Sequence, residues 1–593
     1  MSFRTIPQMF FTQVQRFGER RMLLVKREGS YREMRWSEVG QAVEEVALCL
    51  WGEGIAPGQR VAILSENRPE WPITDLAIQT IRAITVPIYP TDTPAEVAHI
   101  LEDSGAVAVI VSTEAQVAKV LAHHATLPQL RRLILMDALE LHAQPTILTF
   151  AQCLAQGRKT YATRLTALRG MIAAAQPADT ATIIYTSGTT GEPKGVMLSH
   201  ANFLSNCAAG SQALRVTEHD VHLSFLPLSH VFERMAGYYL MLHQGATIAY
   251  AENMDTVPHD LLEVKPTVLL GVPRFYEKLY ARVMEAVRTA PAIRQRIFWW
   301  AVHLGQHAHK SPLTWLADRV VYRKLNARVG GRVRFCVSGS APLSKEIAEF
   351  FAAVGLIILE GYGLTETSPV ISVNRLDAYR FGSVGQPIAD VEVRIADDGE
   401  ILTRGPHIMQ GYYQKETETR AVLREGWLHT GDIGHVDHEG FLYITDRKKD
   451  LIKTAGGKMV APQKIENLLV TDPYIAQAFV FGDRERYLAA LIVPRFEALK
   501  TYAGAHGIPL EPLSALLKHP QTLALIQTRI DAHSRDLASY ERIKQFALLE
   551  QEWSQASGEL TPTLKARRAV LARKYAAVLE RLYAAPPEPS ART

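Results

Sequence analysis

Cysteine is scarce in this chain of 593 residues: Cys49, Cys153, Cys207 and Cys336 lie far apart and form no Cys-x-x-Cys pair. With no histidine cluster at metal spacing either, a disulfide frame and a structural zinc site are excluded, and the four are expected to be reduced, buried thiols. Charge of one sign is missing too. Lys+Arg number 65 against Asp+Glu 61, a net +4, so the balance implies no polyanion-binding surface, and nucleic acid is not an expected partner. Long hydrophobic runs are absent; the greasiest, AGYYLML at 236–242, falls far short of the roughly 20 residues that span a bilayer. The first residues, MSFRTIPQMFFTQVQRFGERR, are amphipathic and broken by charge, without the apolar stretch and cleavage site of a secretory signal. A soluble, cytoplasmic protein is expected. No internal repeat is visible.

What is present is ordinary globular usage, 47% apolar and 21% charged, at a length that holds several domains of about 150 residues. From about Gly58 short apolar runs alternate with helical ones. Residues 61–64 read as a buried strand, a helical pattern begins at Trp71, Thr93-Pro94 caps and opens a helix, Gly105 closes it, and 107–111 read as the next strand. This rhythm specifies βαβ units and a parallel sheet covered by helices. It returns at 182–185, at 333–337 with a helix from Ser344, and at 356–359. Between about 392 and 444 short strands around the DDG and DHEG turns mark a β-rich section. After DRKKD at 446–450 a fresh α/β unit begins, with a helix from Pro462 and strands at 475–481 and 489–493. The last residues, 584–593, are expected to be a disordered tail.

The most informative segment is IYTSGTTGEPKG at 184–195. Glycines let backbone N–H groups turn toward an anion, the hydroxyls of Thr186, Ser187, Thr189 and Thr190 add donors, and Lys194 adds a point charge. Together with Gly188 and Gly191 this inventory suits a polyphosphate. It is not a Walker A loop, because Pro193 precedes the lysine and Gly195-Val196 follows it, where that motif has Ser or Thr opening a helix. The string resembles the signature of the adenylate-forming superfamily, which includes acyl- and aryl-CoA synthetases and peptide-synthetase adenylation domains.

Further motifs follow in the family's order, and the resemblance runs from about Gln13 to Arg568. SGSAP at 338–342 resembles the segment that lines the adenine pocket, which implies that role for Gly339, Ser340 and Ala341. In EGYGLTE at 360–366 the resemblance implies Gly361, Tyr362 and Gly363 against adenine, Thr365 on the α-phosphate and Glu366 on Mg²⁺, a cofactor that binds through few carboxylates plus phosphate oxygens. WLHTGD at 427–432 places Asp432 on the ribose. DRKKD resembles the hinge, with Arg447 on the ribose and Lys449 as pivot, and GGKM at 456–459 implies that Gly456 and Gly457 line the path of CoA. GELTPTLK at 558–565 matches the place of the family's mobile catalytic lysine, Lys565, in a form similar to long-chain synthetases where Gly-Lys is commoner. The implied fold is α/β: an N-terminal domain of parallel α/β subdomains plus a small β-barrel-like section (1–446), then a small mobile α+β C-terminal domain (447–583).

PLSHVFERMAGYYL at 227–240 and GVPRFYE at 271–277 look like the acyl-pocket segments of long-chain fatty acyl-CoA synthetases. His230, Val231, Gly237 and Gly271 are the candidates there; His230 either gates the carboxylate end or caps its helix. The implied activity joins a fatty acid to ATP, giving acyl-adenylate and pyrophosphate, then to CoA with release of AMP. The alternative is transfer to a carrier protein. Lys194, Lys565, Thr365 and Glu366 would carry the first step, and no general base is needed because the acid is already ionised at neutral pH. Between 292 and 329 basic residues interleave with Phe298-Trp-Trp and Trp315. That pattern suits peripheral contact with a membrane surface, burial of the tryptophans against the domain being the other reading. Oligomeric state is left open, a homodimer included.

Overall fold

The computed structural model describes residues 3–138, 147–186, 193–307, 313–535, 537–555, 557–561 and 566–584. One sheet has eight strands. Arg60–Leu64 pairs in parallel with both Ile84–Ile88 and Ala108–Val111, and Arg132–Leu135 and Ile147–Thr149 extend the sheet in parallel. The helix Pro94–Ser104 starts and stops where the sequence predicts. Thr93 Oγ1 accepts from Glu96 N at 3.3 Å, Glu96 Oε2 accepts from Thr93 N at 2.8 Å, and Gly105 takes the left-handed conformation with φ 60°. On the other side, Thr180–Thr186 (β1) lies parallel to Ile84–Ile88 and turns back as Lys194–Ser199 (β2).

A nine-stranded sheet follows, parallel through Val221–Ser224, Thr247–Tyr250, Val268–Gly271, Phe335–Ser338 (β3) and Ile358–Gly363 (β4), with antiparallel strands at its margins. The first four of these strands are buried along their whole length, as a sheet covered on both faces requires. Predicted bounds shift here: β3 spans 335–338 rather than 333–337, and β4 spans 358–363 rather than 356–359. The EGYG motif is therefore the end of the strand, not a loop after it. Gly411–Tyr412 (β5) returns to the first sheet and pairs with β2.

One apolar core joins the two sheets. The helical segment 231–244 lies inside it, π-helical over Glu233–Tyr239 with all seven of those residues buried. Its Arg234 is wholly buried and ion-paired with Asp75, donates to Thr182 Oγ1 at 2.7 Å and to the Tyr239 hydroxyl at 3.1 Å; Tyr239 in turn donates to Asp75 Oδ2 at 2.6 Å. The same segment holds Glu233, which meets His222 Nε2 at 2.8 Å.

The β-rich section is an antiparallel sheet that includes Glu392–Ile395, Glu400–Arg404, Trp427–Val436 (β6) and Leu442–Arg447 (β7). Its DDG and DHEG turns close on Gly399 and Gly440, both at positive φ. Beyond Arg447 a three-stranded sheet, Ile475–Phe481, Leu488–Pro494 and Ile543–Leu548, encloses a core of its own. The last helix, Ala576–Ala584, reaches one residue into the expected tail, and 585–593 lie outside the described residues. The four cysteines are free and buried. Among the described residues no helix is long and apolar enough to cross a membrane. Helices Ala292–His307 (α1), 313–327 (α2) and Lys345–Ala353 (α3) pack on the outside of the nine-stranded sheet's domain.

Candidate active site

The hairpin register sets Thr186, the last residue of β1, opposite Lys194, the first of β2. Ser187, Gly188, Thr189, Thr190 and Gly191 lie outside the described residues. Gly195 has a packing reason of its own, since a Cβ there would stand 2.6 Å from Ile183 Cγ2. Pairing of β5 with β2 sets Tyr412 opposite Val196 and brings its ring centroid to 5.1 Å from Lys194 Nζ. The Tyr412 hydroxyl donates to Glu366 Oε1 at 2.8 Å. Burial, and then the Glu366 charge, push that hydroxyl far above its ordinary pKa, so it remains a donor.

Thr365 and Glu366 sit in the single turn of 3₁₀-helix, Thr365–Thr367, that follows β4, both half-buried. Upstream, Gly363 cannot carry a side chain: a Cβ would fall 1.7 Å from Pro369 O. Gly361 is less constrained, with its nearest neighbour Val373 Cγ2 at 3.4 Å. β3 ends in a loop where a Cβ on Gly339 would meet the Phe232 ring at 3.1 Å and Ser340 adopts φ +71°, an uncommon conformation for serine. Ser340 and Ala341 are half-buried, and this loop is tied to β4 by Leu343 N donating to Glu360 Oε2 at 3.2 Å. Burial pushes the Glu360 carboxyl up to about 7, with the Leu343 N–H pulling the other way.

At the far side of β4 the Tyr362 hydroxyl donates to Asp432 Oδ2 at 2.7 Å, and Arg447 Nε lies 3.3 Å from Asp432 Oδ1. Asp432 and Arg447 are register partners in β6 and β7, which is why acids and bases from separate motifs meet. Asp446, the first residue of the expected hinge, is buried. Burial raises its carboxyl to about 6, while Oδ1 accepts from Arg447 N at 2.6 Å. Lys448 and Lys449 are both exposed, and Lys448 pairs with Asp398 at 2.6 Å and Glu400 at 2.9 Å.

Of the other expected residues, Gly271 adjoins the loop after β3, its carbonyl accepting from Gly339 N at 3.3 Å. Gly456 and Gly457 form the exposed tip of a small hairpin, Gly457 with φ +75°. His230 Nδ1 accepts from Phe232 N at 3.2 Å, a capping contact at the start of the buried helix, and its ring lies 6.4 Å from Tyr89. Val231 is buried, Gly237 faces the Glu233 carboxylate, and Gly271 faces the Tyr276 ring. Lys565 lies outside the described residues, but Arg567 is placed, 3.7 Å from Glu96 at the cap of Pro94–Ser104.

Motif reading did not single out Tyr412 or Glu360 for a role. The crowding of Gly411, where a Cβ would meet Thr419 at 2.9 Å, is a three-dimensional fact with no local signature beyond Gly-Tyr-Tyr. Among the described residues no group of three or more His, Cys, Asp or Glu could cage a metal.

A family model described as "AMP-binding enzyme" matches residues 10–413, and one described as "AMP-binding enzyme C-terminal domain" matches 449–586. The chain is 35% identical over 574 residues to long-chain-fatty-acid–CoA ligase FadD15 of Mycobacterium bovis, covering 94% of this chain and 93% of that protein. It is 35% identical over 588 residues to the peroxisomal long chain acyl-CoA synthetase 6 of Arabidopsis thaliana, covering 94% and 82%. The crystal structure of anthranilate CoA ligase AuaEII in complex with anthranoyl-AMP superposes with a TM-score of 0.75 at 22% identity, over 98% of this chain and 99% of that one, a likeness of fold.

Proposed function

The chain belongs to the AMP-binding enzyme family, and from that premise we propose that it is an AMP-forming long-chain fatty acid–CoA ligase. The observation that carries this reading is the nearly full-length likeness to two proteins named as long-chain ligases or synthetases. The gathering of Lys194, Glu366, Tyr362, Asp432 and Arg447 around β4 supports it.

Joining a carboxylate to ATP forces anions together, so the site must supply positive charge. Lys194, with the hydroxyls from Thr186 to Thr190, holds the β- and γ-phosphates, and Thr365 holds the α-phosphate. Tyr362 and the loop 339–341 take the adenine. Asp432 receives the ribose hydroxyls; a carboxylate has about four lone-pair positions, so it can do so while keeping Tyr362 and Arg447.

The donor set fits Mg²⁺ held jointly with nucleotide: one carboxylate, Glu366, oriented by Tyr412 beside a phosphate-binding lysine, with no protein-only cage. Bound there, Mg²⁺ would neutralise phosphate charge. Lys565 reaches the substrate carboxylate and the α-phosphate. The carboxylate oxygen bonds to the α-phosphorus, the bond to the bridging oxygen breaks, and pyrophosphate leaves. Residues 447–583 then rotate about Lys449, bringing Gly456 and Gly457 to the path along which the CoA thiol attacks the acyl carbon and AMP departs. Arg567 against Glu96, and Arg274 Nη1 donating to Ala476 O at 2.7 Å, hold the two parts together and support Lys565 reaching the site from the C-terminal part.

His230, Val231, Gly237 and Gly271 are assigned to the acyl end. The proposed setting is the cytoplasm, with peripheral contact at a membrane. The test is incubation with ATP, Mg²⁺ and fatty acids of increasing length, with and without CoA. AMP and pyrophosphate are expected, with acyl-CoA when CoA is present. ADP as product would overturn the reading, and acylation of a carrier protein with no thioester on CoA would replace the acceptor.

A further inference from the structure

The inner face of α1 is fully used. Phe298, Ala301, Val302 and Gly305 are buried, a Cβ on Gly305 would stand 2.0 Å from Ala353 O, and Phe298 lies 6.2 Å from Phe350 of α3. Its outer face is the unusual one. Ile293 is 71% exposed, Trp299 49% and Trp300 37%, and in α2 Trp315 is 62% and Leu316 42% exposed. Seven of the fifteen exposed large apolar side chains among the described residues fall between Ile293 and Leu316, so such exposure is concentrated in two helices that pack against each other rather than scattered singly.

Charge on this stretch is of one sign. From Ala290 to Gly331 the only acid is Asp318, and Arg323 Nε lies 2.8 Å from it. Arg294, Arg296 and Lys324 are exposed, and Arg319 lies 5.7 Å from the Trp315 ring centroid. Tryptophan and aliphatic side chains flanked by arginine are the composition of a helix that lies in the lipid headgroup region, with rings at the acyl boundary and guanidinium groups among the phosphates.

We propose that the outer face of α1 and α2 is the surface by which the protein lies on an anionic lipid membrane. The inference rests on the peripheral contact proposed above and names its face and the charge of its lipid. A second copy of the chain is disfavoured as occupant, because a two-fold contact through this patch would set the same arginines against each other. Single-stranded nucleic acid would use the tryptophans but leave Ile293, Ile297 and Leu316 without a role.

The test is co-sedimentation of the full chain with phosphatidylcholine vesicles and with vesicles that also contain phosphatidylglycerol, at low and high salt. Binding to the anionic vesicles is expected, weakened at least about tenfold by high salt. The triple variant W299A/W300A/W315A should weaken it at least about tenfold as well, as should R294E/R296E/R319E. All variants should keep the wild-type thermal midpoint and full activity on dissolved fatty acid. Absence of vesicle binding, binding that the variants leave unchanged, or a change in self-association as their only effect would overturn the inference. Ligase activity separates it from the reading it rests on: acyl-CoA formed without vesicle binding sinks this inference alone, whereas no acyl-CoA under any condition sinks the assigned reaction.

Discussion

Two clusters in this molecule use the same three groups to opposite ends. In the core, Asp75, Arg234 and Tyr239 form a trio in which the tyrosine hydroxyl donates to the acid at 2.6 Å and the cation lies 5.5 Å from the tyrosine ring. At the site, Glu366, Lys194 and Tyr412 repeat the plan, with 2.8 Å and 5.1 Å. The difference is contact between the charges. Arg234 and Asp75 pair directly and are wholly buried, whereas no ion pair joins Lys194 to Glu366, because the tyrosine stands between them. A charge spent on its neighbour holds a fold; a charge kept from its neighbour by an aromatic ring stays available, as the proposed binding of phosphate and metal requires.

The comparison can be broken from either side. The largest effect is expected in the core: Asp75→Ala leaves Arg234 buried and unpaired, and equilibrium denaturation should record a loss of about 3–5 kcal/mol. Lys194→Ala should do the reverse, lowering the adenylation rate by roughly 10²–10³ while the unfolding midpoint stays put. If that variant instead unfolds easily, the two clusters are not different in kind. Lys565→Ala should cost adenylation on a similar scale, about 10²–10³, yet leave thioester formation from supplied acyl-adenylate intact. A parallel fall in both half-reactions would refute the proposed division of labour.

Glu360 offers a smaller and pH-dependent effect. Its carboxyl is raised from the ordinary 4.5 to about 7 by burial, so the folded state holds a proton that the unfolded chain releases. The stability it contributes is full below pH 4.5 and is lost as pH rises through 7, on the order of 3 kcal/mol. Glu360→Gln, which mimics the protonated acid, should flatten that fall in denaturation curves taken across the window. The smallest effect sharpens the contrast itself. Tyr412→Phe keeps the ring beside Lys194 and removes only the hydroxyl on Glu366. It should raise the Mg²⁺ concentration needed for half-maximal pyrophosphate release about tenfold, with stability unchanged. Equal loss at saturating Mg²⁺ would show that the hydroxyl does not act through Glu366.

Much of the fold was legible because its cues are local. Thr93, Pro94 and Gly105 specify one helix within a dozen residues, and Gly399 and Gly440 mark turns by their own backbone needs. Of the candidate site, the motif strings singled out Lys194, Glu366, Tyr362, Asp432 and Arg447, which the structure brings around β4, whereas residues 187–191 lie outside the described residues. Tyr412 escaped notice because its partners lie 46 and 218 residues away and meet it only through strand pairing. The exposure of Trp299 and Trp300 settled against their burial only once α1 had committed its other face to α3.

Order and spacing along the chain alone determined the α/β class, the strand–turn–helix units and the inventory of groups proposed to bind phosphate and ribose, because hydrogen-bond capping, turn conformation and residue chemistry act over a few neighbours. Which charges are neutralised and which remain available was decided only by tertiary structure. That depends on sheet register and burial, which bring Asp432 to Arg447, Tyr412 between Lys194 and Glu366, and Asp75 onto Arg234 from distant parts of the sequence.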